Sequence, residues 1–366
     1  MFSFFLKQKT AFGLDISEFS LRAMQLQRMG SAAFPQAFCY AKMPKGLIAD
    51  DKITNPEHLA EFIKKCLYDP QVGQIDTPYV VFSVPESKSF VRVITVPKMS
   101  AEEAKEAVPL EAEQYIPMAA EQVYLDFKIV PASVNQSPDK MKVVICATPR
   151  DLVDSYVEAV KLARLKPVAA EVESEAVARS LIDRGASNEP TMILDVGYRR
   201  SNLVILDQGT LQFTSSLPIG SETFTSQIAQ SLTVSLEEAE KLKRQYGLLT
   251  VKDGGKIRKS LQSLLNSMIE AIKNTLNFYK EHSDGSRKIT RILLAGGGGQ
   301  LKGLAEFLSQ ELRGDQIKHS SPEIKMGDPW INVLERPLKK IPPISKIDSV
   351  GFSTVIGLAL RGLDME

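Results

Sequence analysis

The sequence predicts an α/β protein built from two related halves, and three observations lead to that class. The first is an internal repetition. "FGLDISEFSLRAMQL" stands near the start and "MILDVGYRRSNLVILDQG" far downstream. Each reads as an apolar strand ending in Asp, a small turn, a polar cluster with Ser, and a second apolar strand. The repetition aligns Asp15 with Asp195, Ile16 with Val196, Ser17 with Gly197 and Ser20 with Ser201. The second observation is "ILLAGGGGQLKGLAEFL", residues 292–308, where an apolar run enters four consecutive glycines and leaves into a helical pattern. The third is a pair of small-residue helices, Ala169 to Leu181 and Ser349 to Leu363, one closing each half. Their alanines and glycines permit a close crossing, although such helices alone equally suit an ordinary core.

The bulk properties exclude several alternatives. A chain of 366 residues suits two domains or one elaborate α/β domain. Its formal charge of +1 makes no electrostatic case for nucleic acid or acidic lipid. Cys39, Cys66 and Cys146 are far apart and odd in number. They suggest neither a disulfide framework nor a Cys-x-x-Cys metal site, and a reducing compartment is expected. His58, His282 and His319 lie in unrelated contexts and read as surface or structural residues. No apolar run approaches the roughly 18 residues of a membrane span. The opening "MFSFFLKQK" lacks the length of a signal-peptide core and a small-residue cleavage site, and is expected to pack on the body, with contact to a membrane the alternative. The sequence therefore reads as cytoplasmic.

Taken in order, the elements carry their own signals. After the first hairpin, residues 77–130 read strand, strand, helix, strand. Ser100 and Glu103 form a capping box for the helix, and Ala104, Ala107, Val108, Leu110, Ala112 and Tyr115 supply its apolar face. Pro109 removes a hydrogen bond inside it, so a kink or break is expected there. "SLEEAEKLKRQYG" opens with Ser235 and Glu238 as a capping box and closes at Gly247.

The glycine run matches neither familiar phosphate motif. Gly298 to Gly303 is followed by Leu304 rather than Lys-Ser/Thr, and Gly296 and Gly298 are followed by Leu301 where a dinucleotide fold needs glycine. A hairpin explains the repeated turns but not the carboxylate at the same place in both. Two backbone-rich turns, each with an Asp, are suited to grip a polyphosphate from opposite sides, with hydrated Mg²⁺ between the carboxylates.

These features resemble the actin/Hsp70/sugar-kinase ATPase superfamily, whose fold is two duplicated RNase H-like α/β halves around a nucleotide cleft. "GLDISEFSLR" resembles its first phosphate loop, "LDVGYRRSN" the second, and "ILLAGGGGQLKGL" the adenosine loop. On that resemblance the bare glycine backbone admits a nucleoside and its α-phosphate to the following helix N-terminus. The block "VITVPKMS…EEA…LEAEQYIP…VYLDF" is more specific, and with "PIGSETFTSQIAQSL…EEAEKLKRQYG" it resembles the PilM family of type IV pilus assembly proteins from about Gly13 to the C-terminus. That family is related to the cell-division protein FtsA. In both, actin's subdomain 1B is missing and a differently placed subdomain, 1C, is inserted in the first lobe. The resemblance implies subdomain 1A at 1–85 and 168–190, 1C at 86–167, 2A at 191–220 and 326–366, and 2B at 221–325, with the adenosine loop at 295–303.

The family implies ATP and Mg²⁺ as ligands and the cytoplasmic tail of the inner-membrane protein PilN as partner, bound in a groove beside 1C. Other platform proteins and the assembly ATPase are further partners it implies, with membrane attachment only through partners at the inner face. Carried over residue by residue, Asp15 and Asp195 would hold Mg²⁺ through water. The amides of Ser17, Glu18 and Phe19, and those of Gly197, Tyr198 and Arg199, would approach the β- and γ-phosphates. Arg22 would be a basic phosphate contact, and Gly297, Gly298 and Gly299 would line the adenosine. Glu240, Lys243 and Arg244 would flank adenine and ribose, and Glu173 would orient the attacking water.

The departures matter as much. The family usually has Asp-Ile-Gly-Ser-Ser-Ser in the first loop, whereas this chain has Asp-Ile-Ser-Glu-Phe-Ser. Two unit charges about 5 Å apart repel by roughly 3 kcal/mol at an effective dielectric near 20. Glu18 must therefore point away from a phosphate, or affinity falls. Arg199 and Arg200 would offset it by contacting phosphate or would face solvent. Nucleotide binding is expected, with slow or negligible hydrolysis. Two rivals of the same superfamily stand beside the adaptor: an FtsA-like filament former and a small-molecule kinase. The first would carry a C-terminal amphipathic helix, which is not expected from "GLALRGLDME", and the second would need a catalytic Asp aimed at a hydroxyl and a sugar-contacting insertion, which the sequence does not suggest.

Overall fold

The computed structural model describes residues 10–30, 32–131, 137–184, 188–249, 254–283, 287–313, 321–335, 337 and 341–365. The opening stretch 1–9 and His319 lie outside the described residues.

One strand order is used twice. The first sheet contains β1 (Phe12–Ile16), β2 (Ser20–Met29) and β3 (Ala32–Lys42). The short β4 (Ile48–Ala49) and β5 (Lys52–Ile53) and helix α1 (Pro56–Tyr68) then lead to β6 (Tyr79–Val84). An inserted unit follows: β7 (Phe90–Pro97), α2 (Ala101–Ala112), β8 (Val123–Ile129) and β9 (Lys140–Pro149). Helix α3 (Arg150–Leu162), β10 (Lys166–Val172) and α4 (Glu173–Leu181) complete this half. The first sheet runs β10-β6-β1-β2-β3, with β10, β6 and β1 parallel and β1, β2 and β3 antiparallel.

The second half opens with β11 (Thr191–Val196), β12 (Ser201–Asp207) and β13 (Thr210–Leu217). Helices α5 (Ser221–Leu232), α6 (Leu236–Tyr246) and α7 (Gly254–His282) lead to β14 (Arg291–Ala295). Then come α8 (Gly296–Gly299), α9 (Leu304–Arg313), β15 (Glu323–Met326), α10 (Lys346–Ser349) and α11 (Ser353–Asp364). Its strands run β15-β14-β11-β12-β13 with the same pattern, three parallel and then three antiparallel, sharing β11 as β1 is shared. β1 and β11 are central strands covered on both faces, which is why each is apolar almost throughout rather than alternating.

The two small-residue helices lie crossed between the lobes, each on the sheet of the other. Helix α11 covers β1, where a β-carbon on Gly13 would press on the backbone of Val355 and Ala359. Val177, Ala178 and Leu181 of α4 cluster with Ile193, Val204 and Leu293 of the second sheet. Where the helices meet, a β-carbon on Gly357 would overlap the carbonyl of Ala176. The close crossing expected from the small residues is thus present. The first helix is shorter than the sequence suggested: Ala169 to Val172 finish β10, pairing in parallel with β6, and the helix begins at Glu173.

The inserted unit adds three antiparallel strands, β7-β9-β8, to the end of the second sheet, with α2 on one face. Its β7 joins β13 through the single pair Phe213 and Arg92. The Ser100–Glu103 capping box closes in both directions. Ala104, Val108 and Ala112 are buried at helical spacing, but Leu110 is 71% exposed and points away from that core. Helix α2 also runs through Pro109 without a break and stops one turn later. Ser235 caps α6 by accepting from the amide of Glu238, and Gly247 ends it with φ 55°.

One expectation is overturned outright. Cys39 of β3 and Cys66 of α1 are joined in a disulfide inside the first-lobe core, with Cα atoms 6.2 Å apart. Packing of α1 on the sheet brings them together, which their spacing in the chain does not disclose. His58 is exposed on α1, and His282 stacks on Phe278 at the end of α7.

Candidate nucleotide site

The repeated hairpins close in the same way. Ile16 pairs with Leu21 and Val196 with Ser201, so the turns are the four-residue segments 17–20 and 197–200. In the first, the amide of Ser17 donates to the carbonyl of Ser20 at 3.0 Å; in the second, Gly197 donates to Arg200 at 2.9 Å. This register corrects the sequence alignment by one position. Ser201 is the counterpart of Leu21, not of Ser20, and Arg22 is the counterpart of Asn202.

That last correspondence separates the two aspartates. Asp15 lies opposite Arg22, whose Nη1 donates to Oδ2 at 3.0 Å, while Ser83 Oγ donates to Oδ1 at 3.1 Å. Arg22, expected on a phosphate, is held by Asp15 and lies over the rings of Phe352 and Tyr40. Asp195 lies opposite the neutral Asn202 instead. Burial first, and then the neighbouring Asp15 carboxylate, push the Asp195 carboxyl up to about 7. Glu173, at the first position of α4, is raised well above the usual carboxylate range by burial and then by Asp15 and Asp195. Asn202 Nδ2 donates to its Oε2 at 3.4 Å.

A fourth carboxyl, Glu86, escaped the sequence reading. It follows β6, is 3% exposed, and accepts from the amide of Ser174 at 3.1 Å. Burial raises it too, and its Oε1 has no hydrogen-bond partner. The signal available was its position just past the end of β6, the parallel neighbour of β1.

The glycine bend sits against the second aspartate. Asp195 is in register with Ala295, and the next residue, Gly296, has φ +73°. A β-carbon there would collide with Oδ1 of Asp195 and the carbonyl of Val196, and one on Gly298 would strike the Val196 side chain. Close packing on β11 therefore accounts for these two glycines without any ligand. Gly297 differs, since a β-carbon there meets nothing within 4 Å. Gly299 has only ordinary contact with Leu294. The four glycines themselves form the turn α8, and the longer helix α9 begins only at Leu304.

The α6 residues face one another. Lys243 is 6% exposed, and its Nζ donates to the carbonyl and Oγ of Ser221 and to Thr225 Oγ1. Glu240 accepts from Thr225, Lys243 and Arg244, each at 2.7 Å. This cluster joins α6 to the N-terminal turn of α5.

The tips of the two turns touch. Phe19 stacks on Tyr198 with ring centroids 4.2 Å apart and planes at 22°. Glu18, 8% exposed at its side chain, pairs with Arg199 and accepts from the amide of Asp51 at 2.9 Å. Arg199 also faces Glu222 at 3.5 Å, and Arg200 faces Asp50 at 3.9 Å. Glu18 thus turns toward the opposite lobe.

Among the described residues no group of three or more His, Cys, Asp or Glu side chains is set to enclose a metal. Asp15 and Asp195 offer two carboxylates, a donor set that fits a divalent cation keeping most of its water. Among them, too, no helix is long and apolar enough to cross a membrane.

Comparison with known proteins completes the picture. The family model described as type IV pilus assembly protein PilM matches residues 13–362. The chain is similar to a solved chain from a PilM-PilN type IV pilus biogenesis complex, at 27% identity and TM-score 0.79, covering 97% of this chain and 99% of that one. It shares its fold with the ethanolamine utilization protein EutJ from Carboxydothermus hydrogenoformans, at 14% identity and TM-score 0.53 over 97% and 90% of the two chains. A curated relative is cell division protein FtsA of Streptococcus pneumoniae serotype 2 (strain D39 / NCTC 7466), 25% identical over 195 residues. That match spans 49% of this chain and 42% of the relative, under half of either. The architecture is the two-lobed actin-like α/β fold.

Proposed function

Because this chain belongs to the PilM family of type IV pilus assembly proteins, we propose that it is an ATP-binding adaptor of the pilus inner-membrane platform that holds the cytoplasmic tail of PilN. The observation that carries the nucleotide half is the pair of equivalent turns with Asp15 and Asp195 beside the glycine bend. Those two carboxylates would hold Mg²⁺ through its water. The bound ion would neutralise the polyphosphate and favour the ionised form of Asp195 against the burial and the Asp15 charge that raise it. The amides of Ser17 and Gly197 already close their turns. Glu18, Phe19, Tyr198 and Arg199 remain as the amides to cradle phosphate. Gly297, with open space above it, would accept the nucleoside.

Binding without efficient turnover fits Glu173. Its carboxyl is raised well above the usual range by burial first and then by Asp15 and Asp195, and its Oε2 already accepts from Asn202. Lys243, spent on α5, would support the adenosine wall rather than touch the base.

The partner half rests on the inserted unit, which we read as subdomain 1C. Leu110, Tyr124 and Ile129 are exposed large side chains there, and β8 is an outer strand of its sheet. An extended tail with apolar anchors suits such a surface. Titrating a synthetic PilN tail tests this reading. Binding at micromolar affinity or better, lost in Leu110→Glu or Ile129→Glu, supports it. A flat titration with protein shown folded by circular dichroism removes the adaptor reading.

A further inference from the structure

The contacts between the turn tips form one continuous arrangement across the lobes. On the first lobe, Glu18 and Phe19 leave the first turn, and Asp50 and Asp51 leave the β4–β5 loop with φ of 49° and 64°. On the second lobe, Tyr198, Arg199 and Arg200 leave the second turn, backed by Glu222 of α5. Phe19 lies flat on Tyr198, and the Tyr198 hydroxyl donates to Glu222 at 3.0 Å. Glu18 is held from behind by the amide of Asp51 and in front by Arg199. Lys88 holds Asp50 at 3.1 Å, and Ser87 donates to Asp51. Glu18, Asp50, Asp51, Arg199, Arg200 and Glu222 line, with Pro218, a cavity of about 240 Å³.

We infer that this ring stack and ion pair form a clasp that holds the cleft shut before any ligand arrives, and that an entering phosphate must displace Glu18 from Arg199. The inference rests on the nucleotide reading of the site and adds a gate to it. Three physical points support it. Glu18 is the one unit of negative charge on the first turn, and its side chain is nearly covered between the Asp51 amide of its own lobe and Arg199 of the other. A guanidinium prefers the paired oxygens of a phosphate to a single carboxylate edge, so Arg199 is the group for which ligand and clasp compete. Once Arg199 is taken, Glu18 is left beside an anion and is driven outward, which separates Phe19 from Tyr198.

Competition of this kind lowers apparent affinity by the fraction of time the clasp is open. A clasp open about one-tenth of the time makes binding about tenfold weaker than in a chain without it. The test uses the full chain spin-labelled at Lys64→Cys on α1 and Gln230→Cys on α5, in a Cys146→Ser background. Variants are Glu18→Gln, which keeps shape and removes charge, and Phe19→Ser, which removes the stack. Pulsed electron resonance reads the interlobe distance without nucleotide, and calorimetry reads Mg-ATP affinity.

The expected result is a single narrow distance distribution in the unaltered turns, a broader one in both variants, and Mg-ATP bound about tenfold more tightly by both. Distributions unchanged by either substitution overturn the clasp, whatever the calorimetry shows. Broadened distributions with affinity unchanged or weaker overturn the competition for Arg199. Broadening with no nucleotide bound by any form upholds the clasp and overturns the nucleotide reading instead, so the two failures are distinguishable.

Discussion

The two aspartate hairpins share a backbone and differ in their electrostatics. Both turns close with the same amide-to-carbonyl bond three residues on, at 3.0 and 2.9 Å, and both aspartates occupy the penultimate position of a central strand. On the facing strand, however, Asp15 has Arg22 and Asp195 has Asn202. The first carboxylate is charge-balanced by its own hairpin. The second has no cation opposite it, and burial together with Asp15 pushes it up to about 7. The scaffold is used twice, and one facing side chain gives the two carboxyls different surroundings. On the proposed reading, Asp195 is the one of the two that would gain more from an arriving cation.

The sharpest way to break this comparison is metal-dependent binding. Asp195→Ala should weaken Mg-ATP binding by about 100-fold and Asp15→Ala by about tenfold, the range for outer-sphere ligands of a metal. Calorimetry on both variants checks it, and equal losses would remove the asymmetry. The next effect is on folding. Arg22→Leu strands a carboxylate that is 3% exposed and should cost about 3 kcal/mol. Asn202→Leu, its counterpart, should cost less than about 1 kcal/mol, because a weak neutral contact is lost. Chemical denaturation of the two variants gives the ranking.

The glycine bend sharpens the picture from the ligand side. Gly296→Ala should destabilise by about 2 kcal/mol through its positive φ and its collision with Asp195. Gly297→Ala should leave the melting temperature unchanged while weakening nucleotide binding several-fold. If Gly297→Ala binds normally, the nucleoside does not lie over that residue.

The smallest effect is on pH. The folded Asp195 carboxyl is raised from 3.8 to about 7, so the folded chain holds a proton that the unfolded chain has released. Its contribution therefore makes the unliganded protein less stable as pH rises from 3.8 toward 7. Mg²⁺ needs the ionised form, so affinity for Mg-ATP should rise over the approach to 7 and level above it. Proton exchange measured at pH 6 in two buffers should show release on binding in the parent chain and less in Asp195→Asn.

Local and periodic features were legible in the sequence by itself. The aspartate turns, the capping box at Ser100 and Glu103, the glycine bend and the small residues of the crossing helices are each written within a few neighbouring positions. Backbone geometry reads out such short spacings directly. Register was less secure, because a turn of four residues admits a one-place slip in alignment, and that slip hid the match of Arg22 with Asn202. Only the tertiary structure decided the rest. It set Phe19 on Tyr198 and Glu18 on Arg199, buried Lys243 under α5, brought Cys39 to Cys66, added Glu86 to the cleft and turned Leu110 outward. Most of these depend on segments remote in the chain meeting in space, and Leu110 on which helix face the neighbouring sheet covers. No local spacing encodes such meetings.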